Sequence, residues 1–191
     1  MNKIAANHQC RMDSSQLAVI DIQQRLGDAM PNKVLNRVLQ NTVLLTRAAS
    51  AMGIPVLPTE QYPEGLGPTH PVVASMLPEG IPILRKTCFS GMGSREFATA
   101  VQRDDARRQI VLVGMEAHIC VLQTALDLAA LDFEVFVVED AICSRRLENY
   151  QNALDRMRNF GISIVSAESV VFEWLGDSKH PQFKTIQALL R

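Results

Sequence analysis

Six short apolar segments alternate with longer amphipathic segments along the chain. The apolar segments are rich in β-branched residues, and this pattern predicts buried strands over residues 17–23, 54–60, 81–89, 109–115, 134–141 and 162–168. From Asn32 to Met52 the apolar positions follow helical spacing, and Gly53 then supplies a common helix stop. The same spacing predicts further helices from Ser94 through Val101, from near Cys120, over about residues 145–159, and over residues 172–175 and 183–190.

The order of these elements indicates an α/β fold. Continuously apolar strands separated by amphipathic helices are typical of a parallel sheet that helices cover on both faces. Right-handed crossovers then favour a three-layer, doubly wound domain whose six strands follow the order 3-2-1-4-5-6. No linker, repeat or low-complexity segment interrupts the series, so residues 1–191 are predicted to form a single domain. In such a sheet, ligands bind at the carboxyl ends of strands 1 and 4.

Composition and charge narrow the class of protein and of partner. Apolar residues make up 47% of the 191 residues and charged residues 20%, which is typical of a globular protein rather than a disordered one. The formal net charge is −1 and neither sign forms a long run, so the electrostatic pattern expected of a nucleic-acid-binding protein is missing. We therefore expect a small-molecule substrate and other copies of the chain as partners, and no nucleic acid.

Neither hydropathy nor cysteine spacing suggests export or membrane insertion. No segment approaches the ~20 apolar residues that cross a bilayer, and residues 1–16 lack the apolar core of a signal peptide. Cys10, Cys88, Cys120 and Cys143 are widely spaced, without a C-x-x-C pair for zinc or redox chemistry. The expectation is a cytoplasmic protein with reduced thiols.

Three chemically capable residues fall at the predicted carboxyl edge of the sheet. Asp21 lies late in the first strand, Lys86 at the end of the third, and Cys120 just beyond the fourth. Lys86 would have to lean over the second strand and span about 10 Å, much of which a lysine side chain covers. Each residue alone is more commonly structural: an acidic cap, a solvated cation or a buried thiol. Their coincidence favours function, and the helix after Cys120 is expected to favour its thiolate.

An acid, a cation and a thiol at one site are the groups that a cysteine hydrolase needs. Asp21 would take the thiol proton while Lys86 holds the carboxylate and the thiolate by charge. The thiolate would attack an electrophilic carbon, most simply an amide carbonyl, and protonated Asp21 would then give its proton to the leaving amine. Backbone N–H groups of the turn over residues 114–120 would bind the oxyanion.

Three segments carry a resemblance to a known family. "AVIDIQ", "RKTCFSG" and "VGMEAHICVLQTALDL" resemble, in order and spacing, the motifs of the isochorismatase-like cysteine hydrolases, and the resemblance covers essentially the whole chain. It implies a six-stranded α/β fold, a catalytic triad of Asp21, Lys86 and Cys120, and a homo-oligomer. It also implies a cis peptide bond at Met115–Glu116, which would aim the N–H of Glu116, with that of Cys120, at the oxyanion.

Differences from the family's motifs narrow the expected reaction. The nicotinamidases of this superfamily bind a metal through an Asp-x-His pair and a further His after the second strand, whereas this chain has "PTEQYPEGLGPTH" with only His70. Isochorismatases that cleave a vinyl ether generally lack the nucleophilic cysteine. "TEQYPEGLG" and "SKHPQFKTIQALL" instead resemble the isochorismatase domain-containing proteins. The expectation is a metal-independent hydrolase of an amide or related C–N bond, without a cofactor.

Four further residues are candidates for contact with substrate, each with a structural alternative. Gln23 projects to the same side as Asp21 if the strand continues that far, although stabilising a neighbouring loop is the commoner role. Phe89 and Ser90 follow the lysine closely and would wall the pocket, unless Phe89 lies in the core. His118 invites a Cys–His dyad, although the acid and the cation already account for activation of the thiol.

One loop and two other classes of function stay open at this point. Tyr62, Leu66 and the prolines around them form an apolar loop over residues 59–70, which would act as a lid or as a subunit contact. A non-catalytic, oligomeric interaction protein that retains the hydrolase fold would leave Cys120 unreactive. A thiol redox sensor would instead show reversible peroxide modification of Cys120 without hydrolysis.

Overall fold

The computed structural model describes residues 8–190, which form a six-stranded sheet with helices around it. All neighbouring strands are parallel and follow the order β3-β2-β1-β4-β5-β6, which confirms the predicted fold class and topology. Residues 1–7 and 191, which the predicted single domain includes, lie outside the described residues. The strands are β1 Ser15–Ile20, β2 Val56–Gln61, β3 Leu84–Lys86, β4 Gln109–Met115, β5 Glu134–Cys143 and β6 Ser163–Val165.

Helices follow each strand of this sheet. They are α1 Gln24–Asp28, α2 Asn32–Ala51, α3 Pro63–Leu66, α4 Pro71–Ala74, α5 Arg95–Val101, α6 Leu122–Ala130, α7 Leu147–Asn159, α8 Ala167–Leu175 and α9 Phe183–Gln187. A 3-10 turn at Gly91–Gly93 precedes α5, and a π-helical turn at Ala117–Val121 precedes α6. Within the described part of the chain, no helix combines the length and the apolar character needed to cross a membrane.

Alternating strand residues face two separate apolar layers. Leu17 and Val19 belong to the layer that contains α2, α8 and α9, in which Trp174 is buried. Ala18 belongs to the opposite layer, which contains α5, α6 and α7 and buries Phe97. Because helices cover both faces, β4 is buried along its whole length, which explains the apolar run that follows Gln109.

The boundaries of β1 differ from the predicted 17–23 at both ends. The strand begins at Ser15, which pairs with Gln109 of β4, and the buried Gln16 side chain donates two hydrogen bonds to backbone carbonyl oxygens, both at 2.8 Å. It ends at Ile20, because Asp21 has a φ of 49° and leaves the extended conformation. Asp21 therefore lies just after the strand rather than within it.

Two predicted strands are too long. The prediction for residues 81–89 is reduced to Leu84–Lys86, since only these residues pair with β2 and Pro82 has no N–H to offer a sheet. The prediction for residues 162–168 overruns into α8, because the Ser166 hydroxyl caps the first turn of that helix. Both segments are rich in residues that favour strands, but a proline and a helix cap determine where the strands end.

Three predicted helices also have different boundaries. The helix predicted near Cys120 begins as a π-helical turn, and its regular α-helical part, α6, starts at Leu122. The helix predicted over residues 172–175 is the second half of α8. The final helix, predicted over residues 183–190, ends at Gln187.

A glycine allows the two central strands to approach each other at the end that matters for chemistry. Gly114 of β4 pairs with Ile20 of β1 and has a φ of 133°. A Cβ atom at this position would lie 1.9 Å from the carbonyl oxygen of Ile20. The absence of a side chain therefore brings the ends of the strands together, just before Asp21 and the segment that contains Cys120.

Candidate active site

Asp21 and Lys86 meet at the carboxyl edge of the sheet. Lys86 is the last residue of β3, and its side chain crosses the end of β2 and places Nζ 2.6 Å from Oδ2 of Asp21. Both side chains are fully buried, so the ion pair lies away from solvent. The Lys86 side chain therefore crosses the second strand, as its position in the sequence predicts.

Two side chains of β2 lie under this crossing. Thr59 and Gln61 are two residues apart and share one face of the strand. The Thr59 hydroxyl donates to Oδ1 of Asp21 (2.7 Å), and Oε1 of Gln61 accepts a hydrogen bond from Nζ of Lys86 (2.8 Å). Neither residue stands out in the sequence, although the location of the second strand between the first and the third was the available signal.

Two backbone carbonyl groups complete the surroundings of the lysine. The oxygen atoms of Cys88 and Phe89 accept hydrogen bonds from Nζ at 3.2 and 3.0 Å. Four oxygen atoms thus surround an ammonium that has three hydrogens, and only the oxygen from Asp21 belongs to a charged group. Neutral hydrogen bonds as well as charge hold the ammonium in place.

The loop that supplies these carbonyl groups is fastened to α6. The N–H of Gly91 donates to Oγ1 of Thr124 (2.8 Å), and the Thr124 hydroxyl donates to the carbonyl oxygen of Cys120 (2.6 Å). Ser90, predicted to wall the pocket, donates its hydroxyl hydrogen to Oδ2 of Asp127 (2.6 Å). These bonds join the loop after β3, whose carbonyl groups bind Lys86, to the helical segment that contains Cys120. They therefore fix the position of the lysine relative to the thiol.

Cys120 completes a group of three interacting side chains. It lies in the π-helical turn before α6, and 5% of its surface is exposed. Burial and then the negative charge of Asp21 raise the pKa of the Cys120 thiol to about 12, against a smaller lowering by Lys86. The charges of Asp21 and Lys86 both act on this pKa, so Asp21, Lys86 and Cys120 share one site. We refer to these three residues as the triad.

The raised pKa corrects one expectation from the sequence. The position of Cys120 before a helix suggested that the helix dipole would favour the thiolate. Desolvation instead dominates, because the thiol is buried beside a carboxylate, and the thiol is protonated at neutral pH. Burial and charge proximity are properties of the folded chain that the helical pattern does not contain.

The turn that leads into Cys120 begins with a cis peptide bond at Met115–Glu116, the position that the family resemblance indicates. The buried Glu116 carboxylate accepts hydrogen bonds from the backbone N–H (2.9 Å) and Nε (3.1 Å) of Arg145, so this side chain anchors the loop after β5. The backbone N–H groups of Glu116 and Cys120 lie at the start of a helical segment. N–H groups in such positions commonly have no partner within the helix.

Gln23 holds the loop after β2. Its Nε2 donates to the carbonyl oxygens of Gln61 (3.0 Å) and Gly67 (2.6 Å), and its Oε1 accepts from the N–H of Gln61 (2.8 Å). The prediction that Gln23 continues the strand beside Asp21 is wrong, because β1 ends at Ile20. The hydrogen bonds support the loop-stabilising alternative.

Phe89 and His118 differ in how they relate to the site. The Phe89 side chain is 54% exposed, which rules out a place in the core, and its carbonyl group contributes to the site by binding the lysine. His118 lies with Nδ1 2.9 Å from Oγ of Ser144 and Nε2 3.3 Å from Nδ2 of Asn149. Both ring nitrogens of His118 therefore have partners outside the triad, which argues against a Cys–His dyad.

The predicted loop over residues 59–70 is partly regular, because it includes the end of β2 and all of α3. Tyr62 is 53% exposed and lines a cleft of about 380 Å³ together with Lys86 and Cys88. A larger cavity of about 730 Å³ opens at the opposite end of β2, beside Val56, and no triad residue lines it. Cavity size alone therefore does not locate the chemistry.

Donor side chains near the site serve local structure. The described residues contain no group of three or more His, Cys, Asp or Glu side chains that could hold a metal ion. Glu60 instead accepts hydrogen bonds from the N–H (2.7 Å) and the hydroxyl (2.8 Å) of Thr69. Nδ1 of His70 accepts a hydrogen bond from the N–H of Val72 (3.4 Å) at the start of α4.

Comparison with known proteins places the chain in a family. Residues 15–169 match the isochorismatase domain. The chain belongs to the isochorismatase family. Isochorismatase domain-containing protein 2 from Bos taurus is 36% identical over 182 residues, which cover 93% of this chain and 83% of that protein. Hydrolases are common in the isochorismatase family, so membership supports hydrolase chemistry in general.

Two solved structures illustrate the isochorismatase fold of this chain. The MAR1 ribonuclease from Caenorhabditis elegans is 34% identical, with a TM-score of 0.89 over 95% of this chain and 92% of that one. The YcaC gene product from Escherichia coli, described as an octameric hydrolase of unknown specificity, is 22% identical, with a TM-score of 0.80 over 94% and 95% of the two chains. At the latter identity the similarity shows the fold alone.

Proposed function

We propose that this isochorismatase-family protein is a metal-independent cysteine hydrolase that cleaves an amide or a related C–N bond of a small molecule. The single observation that carries the proposal is the buried Asp21–Lys86 ion pair, with Nζ and Oδ2 2.6 Å apart, acting on the Cys120 thiol. A buried carboxylate, a buried ammonium and a thiol supply a base, a fixed positive charge and a nucleophile.

The reaction begins with proton transfer within the triad. The thiol proton moves from Cys120 to Asp21, and the thiolate forms a bond from sulfur to the carbonyl carbon of the substrate. The electron pair of the C=O bond moves to oxygen, where the N–H groups of Glu116 and Cys120 bind the oxyanion. When the tetrahedral intermediate collapses, the C–N bond breaks and the amine leaves with the proton from Asp21.

Hydrolysis of the acyl-enzyme completes the cycle. Asp21, again ionised, removes a proton from water, and the hydroxide formed attacks the thioester carbon. The C–S bond then breaks, the carboxylic acid is released, and the sulfur regains the proton that Asp21 took from water. Protons and electrons balance over the cycle without any group beyond the chain, the substrate and water.

The protonated resting thiol is compatible with this scheme. Because burial and Asp21 raise its pKa to about 12, only about one Cys120 thiol in 10⁵ would ionise to solvent at pH 7. Proton transfer to the neighbouring carboxylate creates the thiolate without releasing a proton to solvent. Lys86 then lies beside the newly formed negative charge, which a buried ammonium stabilises strongly.

The direct test is mass spectrometry of the intact protein after exposure to a panel of small amides, ureides and esters. The expected result is a mass increase equal to the acyl group, located on Cys120 by peptide mapping. Cys120→Ala removes both the adduct and turnover. Cys143→Ala is the matched control, because it removes another buried thiol with a pKa of about 12. This variant should retain full activity.

Two other outcomes would contradict the proposal. Cleavage of RNA that survives Cys120→Ala, with no reaction of the amides, would favour an activity like that in the name of the C. elegans relative. Reversible oxidation of Cys120 by peroxide, without an acyl adduct from any compound of the panel, would favour a redox sensor.

A homo-oligomer, a cytoplasmic location and the absence of nucleic-acid binding are parts of the same proposal.

A further inference from the structure

One of the four hydrogen-bond acceptors of Lys86 loses its charge during the reaction, and the other three do not change. In the proposed function, on which this inference rests, Asp21 becomes neutral at the moment when the Cys120 thiolate forms. The charged partner of the ammonium is then lost, and the attraction between Nζ and Oδ2 weakens. The three neutral acceptors, from Gln61, Cys88 and Phe89, do not change charge during this step.

Gln61 is the one side chain among these neutral acceptors. Its amide has a single consistent orientation, because Nε2 donates to the carbonyl oxygen of Thr87 (2.7 Å) while Oε1 accepts from Lys86. A rotated amide would place its NH₂ group against the ammonium and its oxygen against a carbonyl oxygen. The hydrogen bonds to the chain therefore select the acceptor end of Gln61 for the lysine.

The backbone of Gln61 is also fixed. Its N–H and its carbonyl group form a pair of hydrogen bonds with the side chain of Gln23, at 2.8 and 3.0 Å. Only 8% of the residue is exposed, so water competes little for the lysine. Hydrogen bonds thus hold both the backbone and the side-chain amide of Gln61 next to the buried Asp21–Lys86 ion pair.

From this geometry we infer that Gln61 is a positioning residue for catalysis. It holds the Lys86 ammonium in place while Asp21 carries the proton, so that the positive charge stays beside the Cys120 thiolate. The hydrogen bonds described for Gln61 join it to Gln23, Lys86 and Thr87. Its effect is exerted through the lysine, and it should change the reactivity of the thiolate more than the stability of the fold.

The rate of alkylation of Cys120 by iodoacetamide reports on this role without a known substrate. In the full-length protein we expect a rate that is constant from about pH 6 to about pH 9, because internal proton transfer sets the thiolate population. Gln61→Met removes the acceptor but keeps the length of the side chain. It should lower this constant rate by about tenfold, the size expected for one hydrogen bond to a charged group.

Gln16→Met is the matched control for loss of a buried glutamine. Gln16 lies in β1 at the opposite end of the sheet, is 2% exposed, and donates to the carbonyl oxygens of Val101 and Arg107. This variant should lower the unfolding temperature but leave the alkylation rate of Cys120 unchanged. A Gln61→Met protein that is folded and reacts at the wild-type rate would overturn the inference.

Further variants separate this inference from the proposed function. If Gln61→Met does not fold, Gln61→Leu removes the same acceptor with a more compact apolar side chain. It should react about tenfold more slowly than the wild type, and an unchanged rate would overturn the inference. In Asp21→Asn, an alkylation rate that is no longer independent of pH supports the proposed function. An unchanged rate contradicts the proposed function, regardless of the results for the Gln61 variants.

Discussion

Cys120 and Cys143 are similar in burial but differ in their surroundings. Both thiols are at least 95% buried, and burial is the main cause that raises the pKa of each to about 12. The next cause for Cys143 is the charge of Glu116, whose carboxylate binds Arg145. For Cys120 the charge of a carboxylate raises the pKa and the charge of an ammonium lowers it. Reactivity at the residue scale therefore depends on the neighbours of the thiol rather than on its pKa alone.

The Asp21–Lys86 pair gives a prediction about stability. Lys86→Met leaves a buried carboxylate without its cation, so the free energy of unfolding should fall by about 3–5 kcal/mol. The double variant Asp21→Asn/Lys86→Met replaces both charges by neutral side chains of similar size and should recover most of that loss. Urea unfolding of the two variants measures the difference.

An exposed ion pair provides the comparison. Arg158 contacts Asp155 (3.4 Å) and Glu139 (3.5 Å), and each of these side chains is more than 40% exposed. Arg158→Met should change the free energy of unfolding by no more than about 1 kcal/mol, because solvent screens the pair. A Lys86→Met protein as stable as Arg158→Met would mean that the triad carboxylate does not depend on its lysine.

At the scale of elements, the contact between β1 and β4 depends on Gly114. Gly114→Ala would place a Cβ atom 1.9 Å from the carbonyl oxygen of Ile20, at a φ that L-residues rarely adopt. We expect a loss of about 3 kcal/mol or more in the free energy of unfolding, since backbone rather than a flexible side chain must move. Chemical denaturation of the purified variant measures this loss.

Gly53 is the matched control for this substitution. It also has a positive φ, 67°, but nothing lies within 4 Å of a Cβ atom built there. Gly53→Ala should therefore cost only the conformational strain, about 1–2 kcal/mol. Equal losses at Gly53 and Gly114 would indicate that the central strands separate easily, contrary to the close packing of the site.

The bounds of an element were predictable from the sequence where the element is buried evenly along its length. They were not predictable where individual side chains determine the ends of the element. β4 has its predicted bounds because both of its faces are covered and its residues after Gln109 are apolar. β1 starts at the polar Ser15 and ends before Asp21, since partners distant in the chain bury its first residues. Hydropathy contains no information about such partners.

The same distinction applies to the candidate site. The meeting of Asp21 and Lys86 was predictable because topology brings the ends of their strands together, and the catalytic role of these residues and of Cys120 stays a prediction. Thr59 and Gln61 were not predictable, since a polar residue on a strand acquires meaning only when the neighbouring strands supply its partners. The pKa of Cys120 depends on burial, which the helical pattern does not report.

At the scale of the whole molecule, membership of the isochorismatase family identifies the architecture but not the substrate. The isochorismatase domain spans residues 15–169 and therefore includes all six strands. Solved relatives of the same fold carry names as different as ribonuclease and hydrolase of unknown specificity. The triad geometry therefore supports a reaction type, and a homo-oligomer stays a prediction for solution measurements of mass.

The most direct test of the central claim is the pH dependence of Cys120 alkylation in the wild type and in Asp21→Asn. The wild-type rate should be constant from about pH 6 to about pH 9, because thiol plus carboxylate and thiolate plus carboxylic acid hold the same number of protons. Asp21→Asn has no internal acceptor, so its rate should rise about tenfold per pH unit below the thiol pKa. A wild-type rate that rises with this same slope would contradict proton transfer from Cys120 to Asp21.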